Sequence, residues 1–510
     1  MDATGDGDVA ALCGAETTFG NPRNGNAQDY SQWGKGTGSW QSKSLDLDVI
    51  DQRHMSEMLR GLTIAHQKGL WFDFSPMLTV REGRHVQGEY TLDIRDIFER
   101  RRFEDAIAFA KTDWDPHGIS SCDLGRLGFL PTHMEQFATQ IPFRSCIPKG
   151  LSGLIITAKA ISATTDAACL CRMAPDVQNL GYATGLAAAL TAEAGGDPRT
   201  IDLLSLKERL LKEGILPQEE KPRAPERGTP EARVARLAGG DETALLDVVL
   251  LPAEDALPRL RDAWQMRDTN RLELGKGLAW YGDPRGSNAL VAELERLAEE
   301  EDGAAYDDTH PHKAGNPRAG IVDHVDTYWR INQLLTLVAR ARISAALPPI
   351  ARIVDQAWSG GEPVRELNVY IKGRIDMQRV PHFDRLLCIA YCAERLADPA
   401  LIAPLDKLLG RRFVVGNLSS TPAEAGPNYH DAYAEVQLAA AAFRCGSKEG
   451  GRRLITYLKD LHSILKLFAC AELKAASGVD LGVSPERWST WLNQQDKLAH
   501  VPYRTDTLVF

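Results

Sequence analysis

Hydrophobic positions recur at helical spacing in several stretches of the first 214 residues. Val49, Met55, Met58, Leu59 and Leu62 give one apolar face to a helix over Leu45 to about Lys68. Ile94, Ile97, Phe98, Phe103, Ile107 and Phe109 do the same for a helix over Asp93 to Ala110, with Asp93 placed to cap it. Leu203, Leu204, Leu206, Leu210 and Leu211 mark a third helix over Ile201 to Gly214, and Gly214 closes it. Val9 to Ala15 reads as a short helix behind the Gly/Asp turn of Asp2 to Asp8. Met77 to Val80 and Glu89 to Leu92 read as strands, and Gly125 to Ile141 as irregular and then extended.

Between these elements lies a run of different texture. Lys149-Gly150 and Gly153 mark a turn into the apolar run Leu154-Ile155-Ile156. A loop of Ser, Thr and Ala follows, then a second loop with Pro175, then a helix of small residues from Gly181 to Ala189. Such a helix lets another backbone or a flat ligand approach closely, and its amide-rich start favours negative charge. A buried helix packed on a sheet accounts for the same residues. Arg172 sits in a Cys/Met/Ala setting where an unpaired charge is costly, so it pairs with an acid such as Asp176 or meets a ligand.

From Pro217 to Pro230 the chain is proline and charge with almost no apolar residue, the composition of a linker. Beyond it the pattern becomes helix, tight turn, helix. Asp283-Pro284, Asp398-Pro399 and Gly446-Ser447 each separate two leucine-bearing segments, and a weaker copy runs from Leu334 through Leu347-Pro348 to Ile353. The spacing of roughly 50 residues suits HEAT-type helical pairs, each needing neighbours to bury its face. Ser484-Pro485 opens a helix with Trp488 and Trp491 that would close the array. The expected organisation is a domain over 1–214, a linker over 215–232, a HEAT-like repeat domain over 233–496 and a tail over 497–510.

Composition narrows the function. The 510 residues are 44% hydrophobic and 25% charged, with a formal charge of −10, which argues against nucleic acid or an anionic membrane as the main partner. No apolar run approaches the ~20 residues of a membrane span, and the opening residues lack the features of a signal peptide, so a cytoplasmic location is the default. Nine cysteines without a Cys-x-x-Cys pair read as core thiols in a reducing compartment. Asp307-Asp308-Thr309-His310-Pro311-His312, and His324 between Asp323 and Asp326, read as a solvated loop rather than a metal site. Gly5-x-Gly7 and Gly34-x-Gly36-x-Gly38 lack the strand–helix frame of a dinucleotide fingerprint.

Seven short motifs carry a resemblance. They are Asp2 to Asp8, Arg81-Glu82, Gly88 to Leu92, Arg102-Phe103-x-Asp105-Ala106-Ile107-Ala108, Asp115-x-His117, Ile141 to Lys149 and Ile161-Ser162-Ala163. In this order they resemble the rear two thirds of the bacterial FAD-dependent oxidoreductases termed xanthan-lyase-like, over about Met1 to Gly214. The resemblance implies a multidomain protein, α/β plus all-α. Its front would be a partial FAD/NAD(P)-binding-type domain lacking its first βαβ unit, followed by an α-solenoid of HEAT-like helical pairs.

The resemblance also implies roles. Ala3, Thr4 and Gly5 would form the turn beside the dinucleotide arm of FAD, with Asp6 as an acceptor. Leu154 to Ala158 would be the strand passing the ribityl chain, and Ala158, Lys159, Gly181, Ala183 and Thr184 would contact the cofactor. The helix starting near Gly181 would aim its amides at the flavin pyrimidine. His117 would take a proton from an alcohol or sugar-like substrate, with Asp115 beside it, and Arg144 would hold the substrate. His117 as a surface turn residue and Arg144 as a strand-end ion-pair partner are the plainer alternatives. The family has Gly-Arg where this chain has Ala158-Lys159, Thr-His where it has Thr164-Thr165, and Thr-Cys-Met-Ala where it has Asp176 to Asn179. A Cβ at 158 and a carboxylate at 176 would crowd or repel the cofactor. Two functions are therefore expected: an FAD-dependent oxidoreductase fused to an interaction domain for a protein partner, or a binding protein with a degenerate flavoprotein domain.

Overall fold

The computed structural model describes residues 1–28, 32–33, 43–44, 49–67, 78–113, 122–129, 136–217, 227–300, 330–357, 369–371, 374–376, 381–421 and 429–505. They form two units, one drawn from 1–122 and 130–226, the other from 123–129 and 227–508.

In the first unit Asp2 is built into the interior. Its amide donates to Ile155 O at 2.7 Å and its carbonyl accepts from Thr157 N at 3.1 Å, a single parallel bridge to Ile156. The strand expected over Leu154 to Ala158 is thus an extended passage with one bridge. The chain then turns into α1 (Asp8–Leu12) and β1 (Thr17–Phe19), which pairs antiparallel with β5 (Arg84–Val86). Between them β2 (Gln32–Trp33) pairs with β3 (Lys43–Ser44) and with β4 (Leu78–Thr79). The helix expected from Leu45 is shorter: α2 spans Met55–Gln67. Asp51 ends the preceding segment by holding Arg53 through the backbone amide and the guanidinium, and Val49 and Ile50 are buried before the helix begins.

Two expectations need larger corrections. The single helix over Asp93 to Ala110 is a helix and a strand. Asp93 does cap α3 (Ile94–Phe98), in a reciprocal box with Asp96, but the helix ends at once, with Arg100 left-handed at φ 48°. Ala106–Asp113 is then β6, antiparallel to β7 (Gln136–Pro142). Helices pack on β6, so Ala106, Ile107, Ala108 and Ala110 are all buried and the run shows no strand-like alternation. Glu89 to Leu92 is not a strand; Gly88 and Leu92 make isolated bridges to Pro148 and Ala163.

The second correction concerns the small-residue run. Where loops were expected, the chain forms α5 (Thr165–Cys171), and α6 (Ala174–Glu193) begins well ahead of Gly181. Pro175 lies in the first turn of α6, where a missing N–H is harmless and φ is already helical. Gly181 is therefore mid-helix. Leu180, Ala183, Thr184, Ala187 and Thr191 form the buried side of α6, and α6 packs on β6. α7 (Leu203–Lys212) follows as the leucine pattern indicates, capped by Asp202, with Leu206 and Leu210 buried.

The second unit is helical apart from an antiparallel pair of short strands, Val369–Ile371 with Arg374–Asp376. α4 (Asp123–Arg126), which lies in sequence between β6 and β7, is part of it. Asp123 accepts from Arg340 Nη1 at 2.8 Å and Tyr391 OH at 3.2 Å. After α8 (Pro230–Ala238), α9 (Ala244–Val249) and α10 (Ala253–Met266) come four helix–turn–helix pairs. These are α11 (Arg271–Trp280) with α12 (Ser287–Glu300), α13 (330–340) with α14 (Leu347–Gln356), α15 (Pro381–Leu396) with α16 (Ile402–Leu409), and α17 (Tyr429–Arg444) with α18 (Lys448–Tyr457). Asp283, Asp398 and Ser447 each cap the segment after the turn. α19 (Ser463–Ser477) and α20 (Pro485–Asn493) follow, the latter capped by Ser484 with Trp488 fully buried. Among the described residues, no helix is long and apolar enough to cross a membrane.

Candidate functional site

The turn after Ile156 organises the site. Thr157 is extended, Ala158 is left-handed at φ 59°, and Ala158–Ala160 makes one turn of 3-10 helix. An alanine in this conformation costs about 1–2 kcal/mol, because its Cβ crowds the following carbonyl. Neighbours hold the turn in place from both sides. Ile156 N donates to Cys146 O at 2.7 Å, and Thr184 Oγ1 on α6 donates to Thr157 Oγ1 at 2.9 Å. Lys159 Nζ donates to Val80 O at 2.6 Å and lies 3.4 Å from Asp6 Oδ1.

Asp2 anchors the other end of the same layer. Its carboxylate accepts from Thr4 N, Thr4 Oγ1 and Ala10 N at 2.7–3.0 Å. Burial alone would raise its pKa, but these bonds from Thr4 and Ala10 outweigh it and hold the carboxyl below its ordinary value.

Beside the turn is a small recess with room for about one water molecule. Arg81, Glu82 and His85, at the entry to β5, form one wall, and Ala158, Lys159 and Ile161 form another. The end of α5, with Cys171 and Arg172, forms the third. The first wall is held by a buried polar chain. His85 Nδ1 faces Ile161 O and Nε2 faces Glu82 Oε1, both at 3.1 Å. The ring thus bridges a backbone carbonyl and a carboxylate, which fixes its orientation. Glu82 Oε2 accepts from Gln28 N at 2.7 Å, and Gln28 Oε1 accepts from Arg172 Nε at 2.7 Å. Cys171 is not a nucleophile here: burial pushes its thiol well above the ordinary value.

The surroundings contain polar atoms with unmet bonding capacity. Asp6 Oδ1, Gln52 Nε2, Thr164 Oγ1 and Thr165 Oγ1 are buried and make no hydrogen bond. Asp6 Oδ1 and Gln52 Nε2 both close on Gly83, where a Cβ would stand 2.3 and 2.4 Å from them. Asp6 Oδ1 has the Lys159 ammonium 3.4 Å away as an ion-pair partner.

Residues 49–210 match the family model described as FAD dependent oxidoreductase. That family is FAD-dependent, and FAD is the cofactor assigned to this stretch. No curated protein and no solved structure matches the chain.

Within the FAD dependent oxidoreductase stretch, and in the opening residues before it, the expected site residues divide. Asp6, Ala158 and Lys159 come together at the turn. Ala3 and Thr4 are exposed, and Gly5 is left-handed at φ 85° between them and Asp6. Thr184 reaches the turn only through Thr157, and Ala183 is buried. Neither Gly181 nor Ala183 lines the recess, and Gly181 has nothing within 4 Å of where a Cβ would stand. Arg144 is held by Asp105 through Nε at 3.0 Å and Nη2 at 3.2 Å, with its guanidinium over the Tyr90 ring. This is the strand-end ion pair of the plainer alternative. Asp115 and His117 lie outside the described residues, as do the Asp307–His312 and His324 segments. Among the described residues no cluster of His, Cys, Asp and Glu could hold a metal ion.

Asp176 does not face the recess. It is buried at the start of α6 against the backbone amide of Lys111 on β6, and burial raises its pKa despite that bond. Arg172 finds Gln28 in its place. Gln28 and His85 had no signal in the sequence beyond an imidazole and an amide in otherwise local patterns, because their partners are far along the chain.

Proposed function

We propose that the first unit binds FAD and oxidises an alcohol or sugar-like substrate. The observation that carries this is the match of residues 49–210 to the FAD dependent oxidoreductase family model. When bound, the flavin supplies a two-electron acceptor for the hydride leaving the substrate carbon. Asp6 accepts hydrogen bonds from ligand hydroxyls, and Lys159 keeps that carboxylate in place. Glu82, braced by His85, holds Gln28, which in turn orients Arg172. His117, with Asp115, takes the hydroxyl proton of the substrate. Arg144, clamped by Asp105, fixes the end of β7 rather than the substrate. In this proposal the second unit is a HEAT-like array that docks a protein partner.

Reconstitution tests the proposal. Protein dialysed against FAD and then desalted should retain yellow colour at roughly 450 nm and quench flavin fluorescence. Anaerobic addition of a sugar or alcohol substrate should bleach that band.

One observation favours a second function, a binding protein whose flavoprotein unit is degenerate. The recess, with room for about one water molecule, is far smaller than the ~300–1,000 Å3 of most small-molecule sites, and Ala158 lines it. A protein that takes up no FAD under these conditions supports the second function.

A further inference from the structure

The segment after α20 crosses the ends of two helices in the second unit. An α-helix leaves its last four carbonyls without donors of its own. Glu394 lies in the last turn of α15, and Arg444 is the last residue of α17. Tyr503 N donates to Glu394 O at 2.7 Å, and Val501 N to Arg444 O at 2.8 Å. Arg444 Nη1 donates in return to Val501 O at 3.0 Å. The amides at 501 and 503 thus share one side of an extended segment, as the two-residue period of such backbone requires. The nitrogen between them falls on the other side, and there the chain has Pro502, with no N–H to leave unpaired.

The Tyr503 ring meets two cations. The guanidinium carbon of Arg395 stands 5.1 Å from the ring centroid, and that of Arg444 5.4 Å. Both arginines are fixed by other groups. Arg395 bonds to Glu394 and lies 3.4 Å over the Tyr391 ring, which has Arg126 at 4.7 Å. Arg444 holds Glu472 on α19 through two bonds. Arg126, Tyr391, Arg395, Tyr503 and Arg444 therefore form a row in which cations and rings alternate. Of these five, Tyr503 comes from no helix. Val501, Pro502 and Tyr503 are only half-buried, so little apolar burial holds them in place.

Two free carbonyls, a guanidinium N–H and a gap between two fixed cations make a slot. Its backbone bonds suit any extended peptide, and its cations select an aromatic side chain. We propose that this slot is the peptide-binding site of the second unit. It takes an extended segment of a partner protein whose aromatic residue lies two positions after the one paired to Arg444, and residues 501–503 fill it until that segment displaces them. The slot names the partner class for the docking role proposed above, on which it rests, and needs nothing from the first unit.

The test uses the full chain and a fluorescein-labelled peptide of residues 498–505, with the Tyr503→Ala form of that peptide beside it. Anisotropy titrations compare wild type, Tyr503→Phe and Tyr503→Ala proteins. In the first two the tail keeps its ring and competes; in the third it does not, and the fraction of open slots rises. The slot requires Tyr503→Ala protein to bind the tyrosine peptide about tenfold tighter or more than the other two proteins do, and to bind the alanine peptide about tenfold weaker or less. Arg395→Gln added to Tyr503→Ala should weaken the tyrosine peptide by a similar factor. Equal affinity across the three proteins, equal affinity for the two peptides, no binding by Tyr503→Ala, or no effect of Arg395→Gln overturns the slot. A wild-type dimer in light scattering that Tyr503→Ala returns to monomer also overturns it, because the slot then holds the tail of a second copy. An overturned slot leaves the docking role to other faces of the array, and FAD uptake by the same proteins is read separately, so the proposals fail independently.

Discussion

Both units bury charge as closed pairs, Arg60 with Glu57 in the first among them, but a chain beside the first unit's recess differs from the pairs of the second. In the second, charges close on one another across packed helices. Arg444 on α17 grips Glu472 on α19 through two bonds of 2.6 and 3.2 Å, and Glu435 accepts from Tyr457 OH at 2.7 Å. In the first, Glu82, His85, Gln28 and Arg172 run in a chain that ends at the wall of a recess. A charge pair within helix packing contributes to holding the helices; a chain that ends at a cavity wall orients the groups a ligand would meet. The same physics, desolvated charge requiring a partner, thus supports framework in one unit and a candidate site in the other.

The comparison is tested most sharply where the loss should be greatest. Arg444→Met leaves Glu472 as a buried charge without its cation, and should lower stability by about 3–5 kcal/mol in urea unfolding, with FAD affinity unaltered in the protein that remains folded. His85→Gln removes the imidazole that bridges Glu82 Oε1 and Ile161 O and should cost about 1–3 kcal/mol. Here flavin fluorescence titration should also show weaker binding. Equal FAD affinity in His85→Gln and wild type would remove the functional half of the contrast.

The smallest effect is expected at Asp176. Its folded-state pKa is raised by burial, so the stability from the protonated carboxyl is fully present below the ordinary value near 3.8 and is lost as pH rises through the raised value. Asp176→Asn keeps an acceptor for the Lys111 amide and has no charge to bury. Thermal melts should show it modestly more stable than wild type at neutral pH, with the gain vanishing in acid. A gain that persists unchanged at low pH would show that charge burial is not the cause.

Much of the second unit was legible because its signals are local. Asp283-Pro284, Asp398-Pro399, Gly446-Ser447 and Ser484-Pro485 each act within a few residues, and the caps and turns stand where these pairs place them. Asp93 was legible for the same reason. The first unit hid more. Ala106 to Ala110 is covered on both faces, so the alternation that marks a half-buried strand is absent, and helical spacing fits by accident. Pro175 looked like a loop residue but opens α6. The candidate site was partly legible. Asp6, Ala158 and Lys159 meet, but Gln28 binds a carboxylate 54 positions away and a guanidinium 144 positions away. No local pattern encodes such a meeting.

One consequence follows from α4. The chain leaves β6, contributes Asp123 to Phe129 to the helical unit, and returns to β7. Neither unit is a single uninterrupted length of polypeptide. Cutting at the proline-rich segment would separate Asp123 from Arg340 and Tyr391 while leaving it tethered between the two strands. Dissection into independently expressed halves would therefore require a designed connection from β6 to β7 in one half and a supplied peptide in the other.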